Sequence, residues 1–186
     1  MAKLIIGLVG MQASGKGSVA KYLAQAHNAS IHRFSTMLRD IAERLYIVQN
    51  RDNLQNLSST LRLNFGEDLL AKVMAKDVES DPAEIVVIDG VRRFADILFL
   101  RELPHFKLIK IETDQDLRFK RLVDRAENVG DDKKTYNEFV NDERKEADRE
   151  IPQVMAETEI KIDNNGGFDA LHAQIDQLLE SFADKK

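Results

Sequence analysis

The sequence predicts an α/β domain built on a doubly wound parallel sheet. Three observations predict it. Five short apolar runs, at residues 4–9, 30–34, 84–89, 106–112 and 159–163, alternate with helical patterns. The first run ends at Gly10 and leads into Gly15-Lys16, so a G-x-x-x-x-G-K spelling lies between a strand and a helix. The 186 residues suit one such domain with small insertions.

The elements follow in order. The helix after the glycine loop spans residues 15 to about 27, with Val19, Ala20, Leu23 and Ala24 in helical spacing. Asn28-Ala29 turns the chain into the second strand. Ser35 or Thr36 then supplies an N-cap for a helix whose face carries Met37, Leu38, Ile41, Ala42 and Leu45. Arg51-Asp52-Asn53 breaks that helix. Leu54, Leu57, Leu61 and Leu63 mark another, ending near Gly66. Leu69, Leu70, Val73 and Met74 begin a third, which ends at Ser80-Asp81-Pro82. The run EIVVID at 84–89 reads as a buried parallel strand. Residues 94–100 are helical, and Pro104 ends that segment. Residues 114–126 form a basic helix, 128–134 a polar loop, and 136 to about 157 a long charged helix kinked at Pro152. A turn at 164–167 follows the fifth strand. The last helix runs from 168 to about 182, before a frayed tail at 183–186.

Composition narrows the function. Hydrophobic residues make up 43% and charged residues 32%, enough for both a core and a solvated surface. The net charge of −5 argues against a general nucleic-acid coat, so no nucleic-acid partner is expected. There are no cysteines, hence no disulfide, thiolate metal site or thiol nucleophile. No signal-peptide layout precedes the first strand, and no apolar run nears the ~18 residues of a membrane span. The expectation is a cytoplasmic protein with no membrane and no obligate protein partner. His27, His32, His105 and His172 show no ligand spacing.

The chemistry gathers at the strand ends, where open parallel sheets bind ligands. Residues 11–16 can wrap a phosphate with backbone N–H groups, at the positive end of a helix. Gly10, Ala13, Ser14, Gly15, Lys16, Gly17 and Ser18 are the candidate nucleotide-binding residues, with Lys16 reaching the outer phosphates as a point charge. Gly17 stands where the usual motif has a magnesium-binding hydroxyl, and Ser18 comes one place later. Asp89, ending the third strand, suits a grip on Mg²⁺ through water, with Ser18 as the partner hydroxyl. Arg92 and Arg93 sit beside it as forks for phosphate oxygens. Ser35 and Arg39 share a helical face. Arg118, Lys120, Arg121 and Arg125 on one side of the polar loop, and Arg144, Lys145 and Arg149 on the other, form two positive stripes, read as a lid over a polyphosphate. No Ser-His-Asp group and no conspicuous general base is visible. Phosphoryl transfer asks for little covalent chemistry from the protein, so that lack suits a kinase.

These residues resemble the nucleoside-monophosphate kinase group, of which adenylate kinase is the familiar member. Gly15-Lys16-Gly17-Ser18 is similar to that group's G-K-G-[ST] ending, and Phe34-Ser35-Thr36-Met37-Leu38-Arg39 to its S-T-G-D-x-L-R segment without the Gly-Asp pair. Asp89-Gly90-Val91-Arg92-Arg93 resembles its D-G-[FY]-P-R without the proline. Gly66-Glu67-Asp68, Ile88-Asp89-Gly90-Val91-Arg92, Asp142-Glu143-Arg144 and Asn164-Asn165-Gly166 together resemble an archaeal-type group of adenylate-kinase-related proteins of unsettled function, over nearly the whole chain. Dephospho-coenzyme A kinase shares the loop and architecture, and animal-type phosphomevalonate kinase has a similar D-x-R-R segment.

The resemblance implies a three-layer P-loop NTPase fold, in one domain, with strand order 2-3-1-4-5. It also implies an acceptor-binding helical region near 35–80, a lid near 125–145 and the adenine against Asn164. It implies ATP and Mg²⁺ as cofactors, a small-molecule phosphate acceptor, most readily a nucleoside monophosphate, and acceptor-phosphate contacts from Arg39 and Arg92. Lys16, Arg92, Arg121, Arg125 and Arg144 are the catalytic candidates; Ser35, Arg39, Arg92 and Arg93 the substrate-binding ones. The alternatives are a dephospho-coenzyme A or phosphomevalonate type of kinase, or a nucleotide-binding regulator that transfers nothing.

Overall fold

A computed structural model describes residues 4–126, 131–144 and 148–183. Five parallel strands form one sheet: β1 (Leu4–Val9), β2 (Ser30–Arg33), β3 (Ile85–Val91), β4 (Phe106–Glu112) and β5 (Lys161–Asp163). Their order is β2-β3-β1-β4-β5, as the resemblance implies. β1 is central, flanked by β3 and β4, so the glycine loop leaves the middle of the sheet.

The alternation of side chains across the strands divides the core in two. Ile5, Val9, Val86, Ile88 and Leu108 face one layer of helices. That layer contains α2 (Phe34–Arg44), α3 (Arg51–Phe65), α4 (Leu69–Ser80), α5 (Phe94–Leu98) and α8 (Ile151–Ala156). Ile6, Leu8, Val87, Ile109, Ile111 and Ile162 face the other. There α1 (Lys16–His27) and α9 (Phe168–Ala183) cover the sheet. Both faces are apolar, which is why the strands read as near-continuous hydrophobic runs. After β4 in the chain come α6 (Gln115–Arg125) and α7 (Tyr136–Asp142). A short 3₁₀ turn at Asp131–Lys133 lies between them in the chain.

Several boundaries differ from the sequence expectation. The helix α2 begins at Phe34, which is buried, with Arg33 in the cap position. Neither Ser35 nor Thr36 caps it, because burial of Phe34 starts the helix before either hydroxyl. Arg51-Asp52-Asn53 is the first turn of α3 and not a break; the Asn50 side chain caps it by accepting from Asn53 N–H at 2.8 Å. The long charged helix of 136–157 is two helices. Thr135 and Glu138 form a capping box that starts α7, and Pro152 lies in the first turn of α8, where a missing N–H costs nothing. Leu45 and Leu63, counted on apolar faces, are exposed. Parts of the expected 128–134 loop and of the lid, and the tail beyond Ala183, lie outside the described residues.

Candidate functional site

The glycine loop is built from conformations that its sequence allows. Ala13 and Gly15 have φ of 59° and 96°, the left-handed region. A Cβ on Gly15 would lie 2.0 Å from Asn164 Nδ2, and one on Gly10 would lie 2.8 Å from the Ile111 carbonyl. Backbone and a buried amide therefore require both glycines. A Cβ on Gly17 would meet nothing within 4 Å. Ser18 lies half-buried in the first turn of α1, its N–H bonded to the Gly15 carbonyl at 2.9 Å.

Two donors from other strand ends hold the loop from below. Asn164 Nδ2 donates to the Ser14 carbonyl at 2.8 Å, and Thr113 Oγ1 donates to the same oxygen at 2.9 Å. Asn164 is buried, and its own N–H donates to the Glu112 carbonyl at 2.8 Å. Its side-chain amide thus supports the loop. Ser14 is buried too, with its hydroxyl oxygen left without a partner beside Gly10.

Lys16 folds back over the loop. Its ammonium donates to the Gly10 carbonyl at 2.6 Å and the Met11 carbonyl at 3.0 Å. Burial pulls its pKa down to about 8. Asp89 and Asp148 pull it back up, while Arg92 and Arg118 push it down further. These five charged groups therefore share one neighbourhood, which the sequence separates by more than a hundred positions.

Asp89 reaches this neighbourhood through a bulge. Leu8 pairs with Asp89 but Val9 pairs with Val91, so Gly90 is the extra residue, at φ 91°. Arg33 Nε approaches Asp89 Oδ2 at 3.3 Å. Arg92 Nη1 donates to Asp148 Oδ1 at 2.7 Å. Arg93 turns toward Glu67, 3.4 Å away, at the start of the loop before α4. The backbone N–H groups of Arg92 and Arg93 both donate to Asp96 Oδ2 at 3.0 Å, and Asp96 Oδ1 accepts from Arg62 Nη2 at 2.6 Å. A buried ion pair thus shapes the loop that presents both arginines.

The basic helix α6 supplies the remaining wall. Arg118 is buried; it donates to the Thr113 and Gln12 carbonyls at 3.1 and 3.2 Å and pairs with Glu143. It so ties the glycine loop to the segment after α7. The Arg121 Nη1 atom is buried without a partner and lies 4.0 Å from where a Gly15 Cβ would stand. Burial lowers its pKa. Arg125 and Arg144 are exposed. Ser35 and Arg39 are exposed on α2, and Arg39 Nη1 contacts Gln49 Oε1 at 3.4 Å.

The structure therefore brings together Lys16, Asp89, Arg92 and the loop, with Arg121 beside it. It leaves Ser35, Arg39, Arg125 and Arg144 at the surface and Arg93 turned toward Glu67. Sequence reasoning missed Thr113, Asp96, Arg33 and Asp148, and placed Arg118 only in a basic cluster. Nothing in their spelling marks them; contacts across the sheet edge do.

Strand order, central glycine loop and flanking helices define a three-layer P-loop NTPase fold. A shikimate kinase from Bacteroides thetaiotaomicron shares it with a TM-score of 0.65 at 15% identity, over 97% of this chain and 98% of that one. A gluconokinase from Sinorhizobium meliloti superposes with a TM-score of 0.57 at 13% identity, over 99% and 98%. The chain belongs to the UPF0200 family, and its residues 9–140 match the AAA domain family. The UPF0200 protein of Pyrococcus furiosus is 32% identical over 98% of this chain and 100% of its own length. That of Pyrococcus horikoshii is 32% identical over 95% and 96%. No helix among the described residues is long and apolar enough to cross a membrane.

Proposed function

We propose that the protein is an ATP- and Mg²⁺-dependent kinase acting on a small molecule. The observation that carries this reading is the loop itself. Lys16 sits over backbone carbonyls at the start of α1, and the buried, partnerless Arg121 Nη1 lies beside Gly15. An unpaired buried guanidinium nitrogen beside the positive end of a helix is a cradle that a polyphosphate completes.

The donor set also fits Mg²⁺, which takes oxygen ligands and keeps several waters. Ser18 and Asp89 would hold it, and the ion would neutralise charge on the transferring phosphoryl group. Among the described residues no cluster of three acidic or histidine side chains stands ready for a metal.

In this reading Lys16 leaves the Gly10 and Met11 carbonyls for the outer phosphates. Gly10, Ala13, Ser14, Gly15 and Gly17 supply the loop backbone, and Asn164 holds the loop from below. Arg92 orients the acceptor, and Arg39, Ser35 and Arg93 line its approach. Arg121 stabilises the charge that develops on transfer, with Arg125 and Arg144 added when residues 125–145 close as a lid. The fold neighbours are named for shikimate and gluconate, not for nucleotides. Their names favour an acceptor outside the nucleoside monophosphates, such as the dephospho-coenzyme A or phosphomevalonate type.

The test is coupled ADP formation with nucleoside monophosphates, dephospho-coenzyme A, phosphomevalonate, shikimate and gluconate in turn. Turnover stimulated by one acceptor supports the kinase. Tight ATP binding with no turnover under any condition means a nucleotide-binding regulator.

A further inference from the structure

The glycine loop is gripped from outside through two of its carbonyls. Thr113 Oγ1 and Asn164 Nδ2 both donate to the Ser14 carbonyl, at 2.9 and 2.8 Å. Two residues earlier, the Gln12 carbonyl accepts from Arg118 Nη1 at 3.2 Å. The two grips share a residue, because Arg118 Nε donates to the Thr113 carbonyl at 3.1 Å. Thr113 follows β4, Asn164 follows β5 and Arg118 lies on α6, so both grips come from one side of the loop.

A peptide unit turns as a rigid plate. The described peptide bonds are trans, so each carbonyl and the N–H that follows it point to opposite sides. A donor on the Gln12 oxygen therefore turns the Ala13 N–H away from α6. The donors on the Ser14 oxygen do the same for the Gly15 N–H. Ala13 and Gly15, at φ 59° and 96°, supply the left-handed turns from which anion-binding concavities are made.

The charge of Arg118 is already matched. Glu143, at the end of α7, pairs with it, and the two side chains are only 7% and 10% exposed. The other Glu143 oxygen accepts from Gln115 Nε2 at 2.9 Å. The guanidinium also lies over the buried Phe139 ring of α7, 5.5 Å from its centroid. Its three acceptors, two carbonyls and a carboxylate, call for a rigid fork of donors, which a lysine lacks.

Resting on the nucleotide site of the kinase reading above, we infer that Arg118 is a positioning residue for the donor phosphates. It sets the Ala13 amide by holding the Gln12 carbonyl. Glu143 makes that hold depend on the docking of α7. Arg121 offers its own nitrogen to the phosphates in that reading, whereas Arg118 acts through the loop backbone.

The experiment uses the full chain, with ATP and Mg²⁺ in one series and inorganic tripolyphosphate in another. Calorimetry reads affinity, a thermal melt reads stability, and ¹⁵N–¹H spectra read the Ala13 and Gly15 amides. In the wild type both amides are expected to shift when tripolyphosphate binds. Arg118→Met is expected to weaken both probes roughly tenfold or more, the loss of a charge-assisted hydrogen bond. Its Ala13 shift should shrink, while Gly15, held by Thr113 and Asn164, keeps its own. Arg118→Lys keeps the charge without the fork and is expected to bind both probes about threefold or more weakly than wild type. Wild-type affinity in either variant, whatever its melting temperature, makes Arg118 a structural tie only and overturns the inference. An Ala13 amide that stays unmoved in the wild type when tripolyphosphate binds also overturns it, and needs no variant to fold. A wild type that binds neither probe overturns the nucleotide site and the inference with it.

Discussion

Asn164 donates its side-chain N–H to the Ser14 carbonyl at 2.8 Å, and this bond leaves no room for a Cβ on Gly15. The last strand thereby fixes the shape of a loop 150 residues earlier. The glycine is required both by its positive φ and by an amide from the far side of the sheet.

Gly15→Ala is expected to weaken ATP binding by more than tenfold and to lower the melting temperature. Adding Asn164→Gly relieves the clash but not the backbone conformation, so it restores only part of the loss. Calorimetric titration with ATP and a thermal melt of both variants check this. Equal affinity in Gly15→Ala and wild type contradicts it.

Thr113→Val and Asn164→Ala each leave the Ser14 carbonyl with one donor. Together they leave it buried with neither of its two side-chain donors. An orphaned buried carbonyl costs about 1–3 kcal/mol, so the double variant should lose more stability than the two single losses added. Urea unfolding of the four proteins measures the excess, and strict additivity would show that the two bonds are independent.

On the proposed kinase function, Lys16→Ala is expected to reduce turnover more than a hundredfold while the fold persists, since it would remove a principal electrostatic contact to the transferring phosphoryl group. Steady-state rates with circular dichroism as the fold control decide it, and unchanged turnover would sink the nucleotide site.

The burial of Lys16 has a pH signature. Its pKa falls from 10.5 to about 8 on folding. Below pH 8 both folded and unfolded chains carry the proton, and the folded state bears the cost of burying it. Between pH 8 and 10.5 the folded chain has shed the proton and the unfolded chain has not, so this group favours the folded state increasingly as pH rises. Nucleotide-free wild type should therefore gain stability relative to Lys16→Met between pH 7 and pH 9.5, whatever constant offset the lost carbonyl bonds add. Melting both proteins at the two pH values checks the sign.

Asp96→Ala is expected to destabilise by about 3–5 kcal/mol. It leaves Arg62 as an uncompensated buried charge and frees the Arg92 and Arg93 amides together. Asp96→Asn, which keeps the shape, should cost less. Chemical denaturation reads both, and a loss under about 1 kcal/mol in Asp96→Ala would mean the pair is dispensable.

The sequence by itself determined the sheet and the loop. Five apolar runs alternating with helical patterns gave the strands, because strands buried on both faces must be apolar throughout. G-x-x-x-x-G-K gave the loop, because backbone amides cannot surround a phosphate past large side chains. It misjudged the start of α2 and the long helix at 136–157 where burial of Phe34 and the cap at Thr135 overrode local pattern. Only the tertiary structure decided which charges share the site. Arg118, Asp96, Thr113 and Asp148 are ordinary letters in the chain, and their roles come from partners 34 to 106 residues away. Strand periodicity is a property of neighbouring residues, so a sequence carries it openly. Ion pairing across a sheet edge depends on which strand ends the fold brings side by side, and on how far water is excluded there.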